Sequence, residues 1–347
     1  MAPLTFLSYL RLKIIISFLR ILTLYKAREP LRRDKKLAEA HYPVRQERLC
    51  IPSRDPGRYI VADLYLPPTS AASSSPGKQA SLPVLVNWHG SGFCLTGLLG
   101  SNVLFCARVA HELQIGVLDV DYRKAPEHPF PAAVHDVDDA LRWVGSEENG
   151  HRFDTSRLSV SGFSSGGTLA LVAALALRGR LQAAGVNISA AVAMYPGTDL
   201  VTPAEDKKPP KDGINPMDPA TLNLFVDCYV PDESLRADPL ASPDRADPQS
   251  YPQTVAILTC EGDRLAPEGL ELAEKLGKDP QRKVVNNMLL GVPHGFDTGA
   301  EEGTLLAEKR EEMYTLVVKT LREALQWTVY SAGLVEKLYD LTTISST

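Results

Sequence analysis

Cysteine is scarce in this 347-residue chain: there are five, and none of Cys50, Cys94, Cys106, Cys228 and Cys260 stands in a Cys-x-x-Cys pair. That excludes a disulfide-stapled secreted scaffold and the usual zinc ligand spacings. It suits a reducing, cytoplasmic setting with free, mostly buried thiols. An excess of positive charge is also missing, since 37 Lys and Arg stand against 42 Asp and Glu for a formal net charge of −5. Nucleic acid is therefore not an expected partner, because phosphate binding needs a concentrated basic face. No internal repeat is evident. Nor is there an uncharged apolar run of the ~20 residues that a membrane span requires.

What the chain does contain begins with "LTFLSYLRLKIIISFLRILTLY", apolar but interrupted by Arg11, Lys13 and Arg20. The charges and the lack of a small-x-small cleavage site argue against a secretory signal. At helical spacing Thr5, Lys13, Ser17, Arg20 and Thr23 share one side, and Arg11 breaks the opposite, apolar one. Such a helix can lie on a membrane surface, helped by Arg32-Arg33-Asp34-Lys35-Lys36, or it can pack over the protein's own pocket. The interrupted apolar face favours the second placement. Residues 1–44 are thus expected to form a cap helix and a linker.

From residue 45 onward, short runs rich in Val, Ile, Leu and Tyr predict strands at 45–51, 58–66, 82–88, 115–121, 157–162, 188–195, 254–260 and 283–290. Helical stretches are expected at 100–113, 132–147, 165–180, 267–278 and 302–328, with a Pro- and Ser-rich hairpin connection at 67–83. After the first strands the two types alternate, which is the signature of a parallel sheet covered on both faces. The expected class is α/β: a mostly parallel eight-stranded sheet, helices on both faces and a helical cap. Residues 200–250 break the alternation with a Pro- and Asp-rich insertion holding one apolar helix, at 219–229. An insertion of that length is more often a functional lid than slack. The core is accordingly split into 45–199 and 251–330, and residues 331–347 are expected to form a poorly ordered tail.

The chemistry is expected to centre on "VSGFSSGGTLALVAALAL", residues 160–177, where a strand runs into Gly162-Phe163-Ser164-Ser165-Gly166 and a helix runs out. Gly-x-Ser-x-Gly alone is weak evidence. At a strand-to-helix turn, however, the serine sits on a strained elbow beside free helix N–H groups, as a nucleophile requires. A serine needs a base, and of seven histidines only His294 follows an apolar strand and a turn just before the last helix. Asp263 ends the strand before it, so the order Ser164, Asp263, His294 is that of a hydrolase triad on an open α/β sheet. "NWHGSGF" after the third strand offers backbone donors for an oxyanion: Ser91 and Gly92, with Ser165 completing the set. Phe93, Phe163, Phe225 and Phe296 are candidates for the substrate pocket. No metal or organic cofactor is called for.

Six stretches together, "NWHGSGF", "VDYRKAPEHPFPAAVHDVDDALRWV", "FDTSRLSVSGFSSGGTLA", "ADPLASP", "EGDRLAPEG" and "PHGF", give the chain a resemblance to the hormone-sensitive-lipase-like group of α/β-hydrolase esterases over about residues 55–325. The resemblance implies serine carboxylic-ester hydrolysis under a cap of N-terminal and inserted helices. It carries the nucleophile, acid and base to Ser164, Asp263 and His294, and the oxyanion donors to Ser91, Gly92 and Ser165. Two positions depart from the family pattern: Ser91 interrupts the usual triple glycine, and Phe163 replaces the usual aspartate before the nucleophile. Both point to a specialised pocket, such as that of a natural-product tailoring esterase acting on a small to medium apolar ester. Tyr122, Arg123, Glu127 and His128 are expected to brace the fold. The same triad could instead serve acyl transfer, lactonisation or thioester release. A small-molecule receptor on this scaffold is disfavoured because His294 is retained. Acyl group, alcohol and oligomeric state stay open.

Overall fold

Residues 6–68, 81–149, 152–175, 178–183 and 185–344 are described by a computed structural model of the chain. Most of the 67–83 connection lies outside them. The eight expected strands all form: β1 (Arg45–Pro52), β2 (Tyr59–Leu66), β3 (Leu82–Trp88), β4 (Gly116–Val120), β5 (Phe153–Phe163), β6 (Ile188–Met194), β7 (Thr254–Cys260) and β8 (Lys283–Leu289). They make one sheet in the order β1-β2-β4-β3-β5-β6-β7-β8. β2 runs antiparallel to both β1 and β4, and every later pairing is parallel. Every residue of β4 and β7 is buried, as expected where helices cover both faces.

One face packs on α2 (Val103–Leu113) and α8 (Leu305–Ile344), with Phe105, Val109, Met313 and Val317 in the shared core. The other packs on α3 (Ala132–Val144), α4 (Ser165–Leu175) and α7 (Ala266–Gly277). α4 is buried along its whole length, in keeping with its run of Leu, Val and Ala. Beyond α4, residues 178–183 are also helical (α5, Arg178–Ala183), and residues 176–177 between the two lie outside the described residues. α6 (Pro219–Tyr229) is the apolar helix of the insertion.

Both chain ends differ from expectation. α1 spans Phe6–His41 and passes through Pro30, so helix occupies nearly all of the segment expected as a cap helix and a linker. Proline removes a helix hydrogen bond, but tertiary contacts hold the turn beyond it. Asp34 Oδ2 accepts the Gly299 N–H at 2.7 Å, and Arg33 donates to the Gly299 carbonyl at 2.5 Å. At the other end α8 continues to Ile344, making helix of what was expected as a tail. That stretch has one glycine and no proline to stop it.

Candidate active site

The turn between β5 and α4 is shaped by two glycines that nothing else could replace. A Cβ on Gly162 would lie 2.1 Å from the Gly166 carbonyl oxygen, and one on Gly166 would lie 2.0 Å from that of Trp88. With strand and helix this close, Ser164 is forced to a φ of 52°, a left-handed conformation that costs a non-glycine residue about 1–3 kcal/mol. Its carbonyl accepts the Thr168 N–H at 3.0 Å, so the helix starts at once and the side chain is left on display.

Ser164 Oγ lies 2.8 Å from His294 Nε2, and His294 Nδ1 lies 2.7 Å from Asp263 Oδ2. Residues 130 positions apart meet because β5, β7 and β8 all end on the same edge of the sheet. Asp263 is buried, and its other oxygen accepts the Leu265 N–H at 3.1 Å, which fixes the carboxylate. Burial alone would lower the His294 pKa. The charge and hydrogen bond of Asp263, with the charge of Asp297, outweigh burial and raise it above the usual 6.5. The Tyr195 ring meets the imidazole edge-on at 4.8 Å between centroids. Tyr195 is in turn tied to Asp297, whose carboxylate accepts from Tyr195 at 2.5 Å and from Tyr314 at 2.9 Å. Sequence reasoning missed this buried support behind the histidine. Its one signal was an aspartate three residues after His294 in "HGFD".

The loop after β3 brings Ser91 and Gly92 beside Ser164 and Ser165, but not all three expected donors are open. The Ser91 N–H donates to Ser165 Oγ at 2.9 Å. Tyr122 donates to the His89 carbonyl at 2.8 Å, and its oxygen lies 2.8 Å from Ser91 Oγ and 3.0 Å from Ser165 Oγ. One proton assignment satisfies the whole group: both serine hydroxyls donate to the Tyr122 oxygen, leaving Ser165 Oγ to accept from Ser91. The Ser91 N–H is therefore committed to a side chain, which corrects its expected place as an open donor. No hydrogen bond engages the backbone N–H of Gly92 or Ser165 among the described residues. The Ser91 and Ser165 hydroxyls, with Tyr122, tie the loop to the elbow in one buried network.

A cleft of about 660 Å³ opens over Ser164 and His294. Phe93 and Phe225 line it as expected, joined by Leu200, Met217, Val226 and Tyr229. The Phe93 ring stacks on Tyr229 at 3.7 Å, and the Phe225 ring covers Gly92 so closely that a Cβ there would lie 2.4 Å from it. Phe163 and Phe296 do not line the cleft, which corrects both assignments. Phe163 follows the strand alternation onto the α2/α8 face and packs against Phe105 and Tyr314. Phe296 joins the same core beside Tyr195. The insertion supplies much of the cleft wall, from Leu200 to Tyr229. Lys207 in that wall is neutralised by Glu268 at 2.5 Å.

α1 lines no part of the cleft, so the expected placement over the pocket is corrected too. Ile16 enters the core with Leu12 and Leu19 packed against it, and Arg20 ties the loop after β3 to the loop after β4 through the Cys94 and Ala125 carbonyls and Glu127. Arg123 braces as expected, pairing with Asp136 and Asp55. His128 is exposed, whereas His89 is buried 3.1 Å from Asp121. No group of acidic, His and Cys side chains suited to a metal ion occurs among the described residues.

Comparison with known proteins agrees with this architecture. A family model described as the alpha/beta hydrolase fold matches residues 85–298. The chain is 29% identical over 283 residues to the ethyl acetate hydrolase of Pseudomonas putida, covering 80% of this chain and 82% of that one. It is 35% identical over 210 residues to the carboxylesterase NlhH of Mycobacterium tuberculosis, covering 58% of this chain and 62% of that one. Among solved structures, the hyperthermophilic esterase of Pyrobaculum calidifontis superposes with a TM-score of 0.72 at 27% identity, over 93% of this chain and 99% of that one.

Proposed function

The chain belongs to the α/β-hydrolase fold family and is an enzyme of the carboxylesterase type, and from that premise we propose that it hydrolyses a small to medium apolar ester through an acyl-enzyme on Ser164. The observation that carries the reading is the hydrogen-bonded line from Ser164 Oγ through His294 to Asp263, at the floor of a cleft walled by apolar side chains. Ser164 Oγ attacks the ester carbonyl as His294 Nε2 takes its proton. Asp263 holds the tautomer and stabilises the imidazolium. The Gly92 and Ser165 N–H groups face the developing oxyanion. His294 then returns the proton to the leaving alcohol, and water attacks the acyl-enzyme by the same base in reverse.

A fluorophosphonate probe tests the nucleophile directly. The native chain is expected to be labelled once, at Ser164, and the Ser164→Ala variant not at all. Labelling that survives the substitution would assign the chemistry elsewhere. Partition of the acyl-enzyme between water and added methanol then separates hydrolysis from acyl transfer. Transfer dominating in dilute alcohol would make this an acyltransferase.

Ser165→Ala removes the acceptor that holds the Ser91 N–H and returns that donor to the oxyanion side. A full donor of this kind is worth about 10²–10³ in turnover. The expected gain for p-nitrophenyl acetate is smaller, up to about tenfold in kcat, because Gly92 and Ser165 already supply two donors. A fall in kcat would show that the hydroxyl supports the hole instead of occupying it.

A further inference from the structure

The face of α1 turned away from the core is a bare apolar ridge. Phe6, Leu10, Ile14, Phe18, Ile21 and Tyr25 recur every three or four residues and fall within a roughly 120° arc of the helix. Phe6 is 76% exposed, Phe18 66%, Ile21 70% and Tyr25 74%, so no described element covers this arc. Most of the large apolar side chains that the described surface exposes lie in this stretch of some 30 Å. The helix already spends a different face on the core, through Leu12, Ile16 and Leu19. A helix apolar on two sides needs a second apolar environment.

The charge pattern says which environment. Beyond Tyr25 the same arc continues as Arg28, Arg32, Lys35 and Lys36, all exposed. Glu29 and Glu39 offset part of that charge, pairing with Arg32 at 2.6 Å and Lys35 at 3.9 Å. Asp34 points inward to Gly299. Arg11 and Lys13 border the apolar half, where long stems can rest on lipid while their charges reach headgroups. No helix is long and apolar enough to cross a membrane. We propose that α1 is an in-plane docking helix for an anionic bilayer, its ridge from Phe6 to Tyr25 immersed at the interface and its Arg28–Lys36 segment on acidic lipid headgroups. A second copy of the chain would bury the ridge as well, but ridge-on-ridge packing offers no acidic surface to the basic continuation of that arc. α6 lies directly beside α1 across a groove that Leu12, Ile15 and Leu19 share with Ala220 and Leu224. Docking through α1 therefore sets the roof of the cleft next to the lipid surface.

Flotation of the full chain with vesicles tests this. The native protein is expected to float with phosphatidylcholine/phosphatidylserine vesicles at 7:3, and more weakly with phosphatidylcholine alone. The I14E/F18E/I21E variant is expected to lose at least about tenfold in partitioning on both. Reversal of Arg28, Lys35 and Lys36 to Glu is expected to weaken binding to the anionic vesicles only, by roughly fivefold or more per charge, with a matching loss of salt dependence. Both variants should keep the native melting temperature and the native kcat/KM for p-nitrophenyl acetate in vesicle-free buffer, since none of these residues lines the cleft. F18S/I21S, milder at the same exposed positions, repeats the test should the triple variant misfold. A native chain that stays with the soluble fraction on anionic vesicles overturns the proposal. So does a triple variant that floats like the native chain. A native dimer that the triple variant turns into a monomer, with no vesicle binding by either, assigns the ridge to a second copy instead.

Discussion

Ser164→Ala is expected to lower kcat for a p-nitrophenyl ester by about 10⁶-fold, leaving a residual rate some 10³–10⁴ above water. The loss is that large because the three groups act as one: without Oγ, the imidazole 2.8 Å away has no nucleophile to activate. The residue rate comes from the Gly92 and Ser165 donors and from cleft binding, which the substitution leaves in place. KM should therefore change little. Stability should change little, because alanine keeps the same left-handed φ of 52° and the lost hydroxyl faces the cleft. Stopped-flow kinetics with p-nitrophenyl butyrate would show the burst of product disappear along with turnover. A variant retaining even a hundredth of native kcat would remove Ser164 from the mechanism.

Asp263→Asn is expected to cost about 10⁴ in kcat and, separately, to move the acid limb of the pH profile. The sign follows from the forces on the imidazole. The reaction needs neutral His294, so activity rises with pH through its pKa. In the native protein burial favours the neutral ring, but Asp263, with help from Asp297, more than offsets this and puts the pKa above 6.5. Removing the Asp263 charge leaves burial as the larger influence, and the limb shifts to lower pH. The kcat loss nonetheless persists on the alkaline plateau, because an amide cannot hold the tautomer that presents Nε2 to Ser164 as an acceptor. A pH–kcat profile of the variant from 4.5 to 9 reads both effects. If the limb stayed in place while kcat fell, Asp263 would be orienting the ring without acting on its charge.

Much of this site was legible before any coordinates, for local reasons. Gly162 and Gly166 flank Ser164 because the backbones of β5, α4 and the loop after β3 approach within contact there, and only glycine admits that. Asp263 and His294 were readable as strand-end residues, since a parallel sheet brings its strand ends to one edge whatever the loops do. The insertion stood out by its length and composition, and it lines the cleft. What failed were two of the four pocket assignments, which depended on side-chain direction. Phe163 and Phe296 are close in sequence to the site, yet Phe163 turns to the opposite face and Phe296 joins the same core. Neighbours along a strand point to opposite faces, so adjacency to Ser164 carries no information about lining the cleft.

The sequence by itself determined the eight strands, the parallel alternation, the elbow and the order of Ser164, Asp263 and His294, because each rests on local periodicity or on a residue type that no other could replace. Only the tertiary structure decided that Ser165 Oγ takes the Ser91 N–H, since hydrogen-bond partners 74 positions apart are chosen by packing and not by spacing. It also decided which side of α1 meets the core. The sequence showed one polar side and one apolar side interrupted by Arg11, and that interruption placed α1 over the pocket, when its buried face in fact lies elsewhere. The choice was made by Ile16 entering the core and by Arg20, Arg33 and Asp34 finding partners on loops far along the chain. Those contacts fix the helix's rotation about its own axis, a quantity that periodicity alone does not supply.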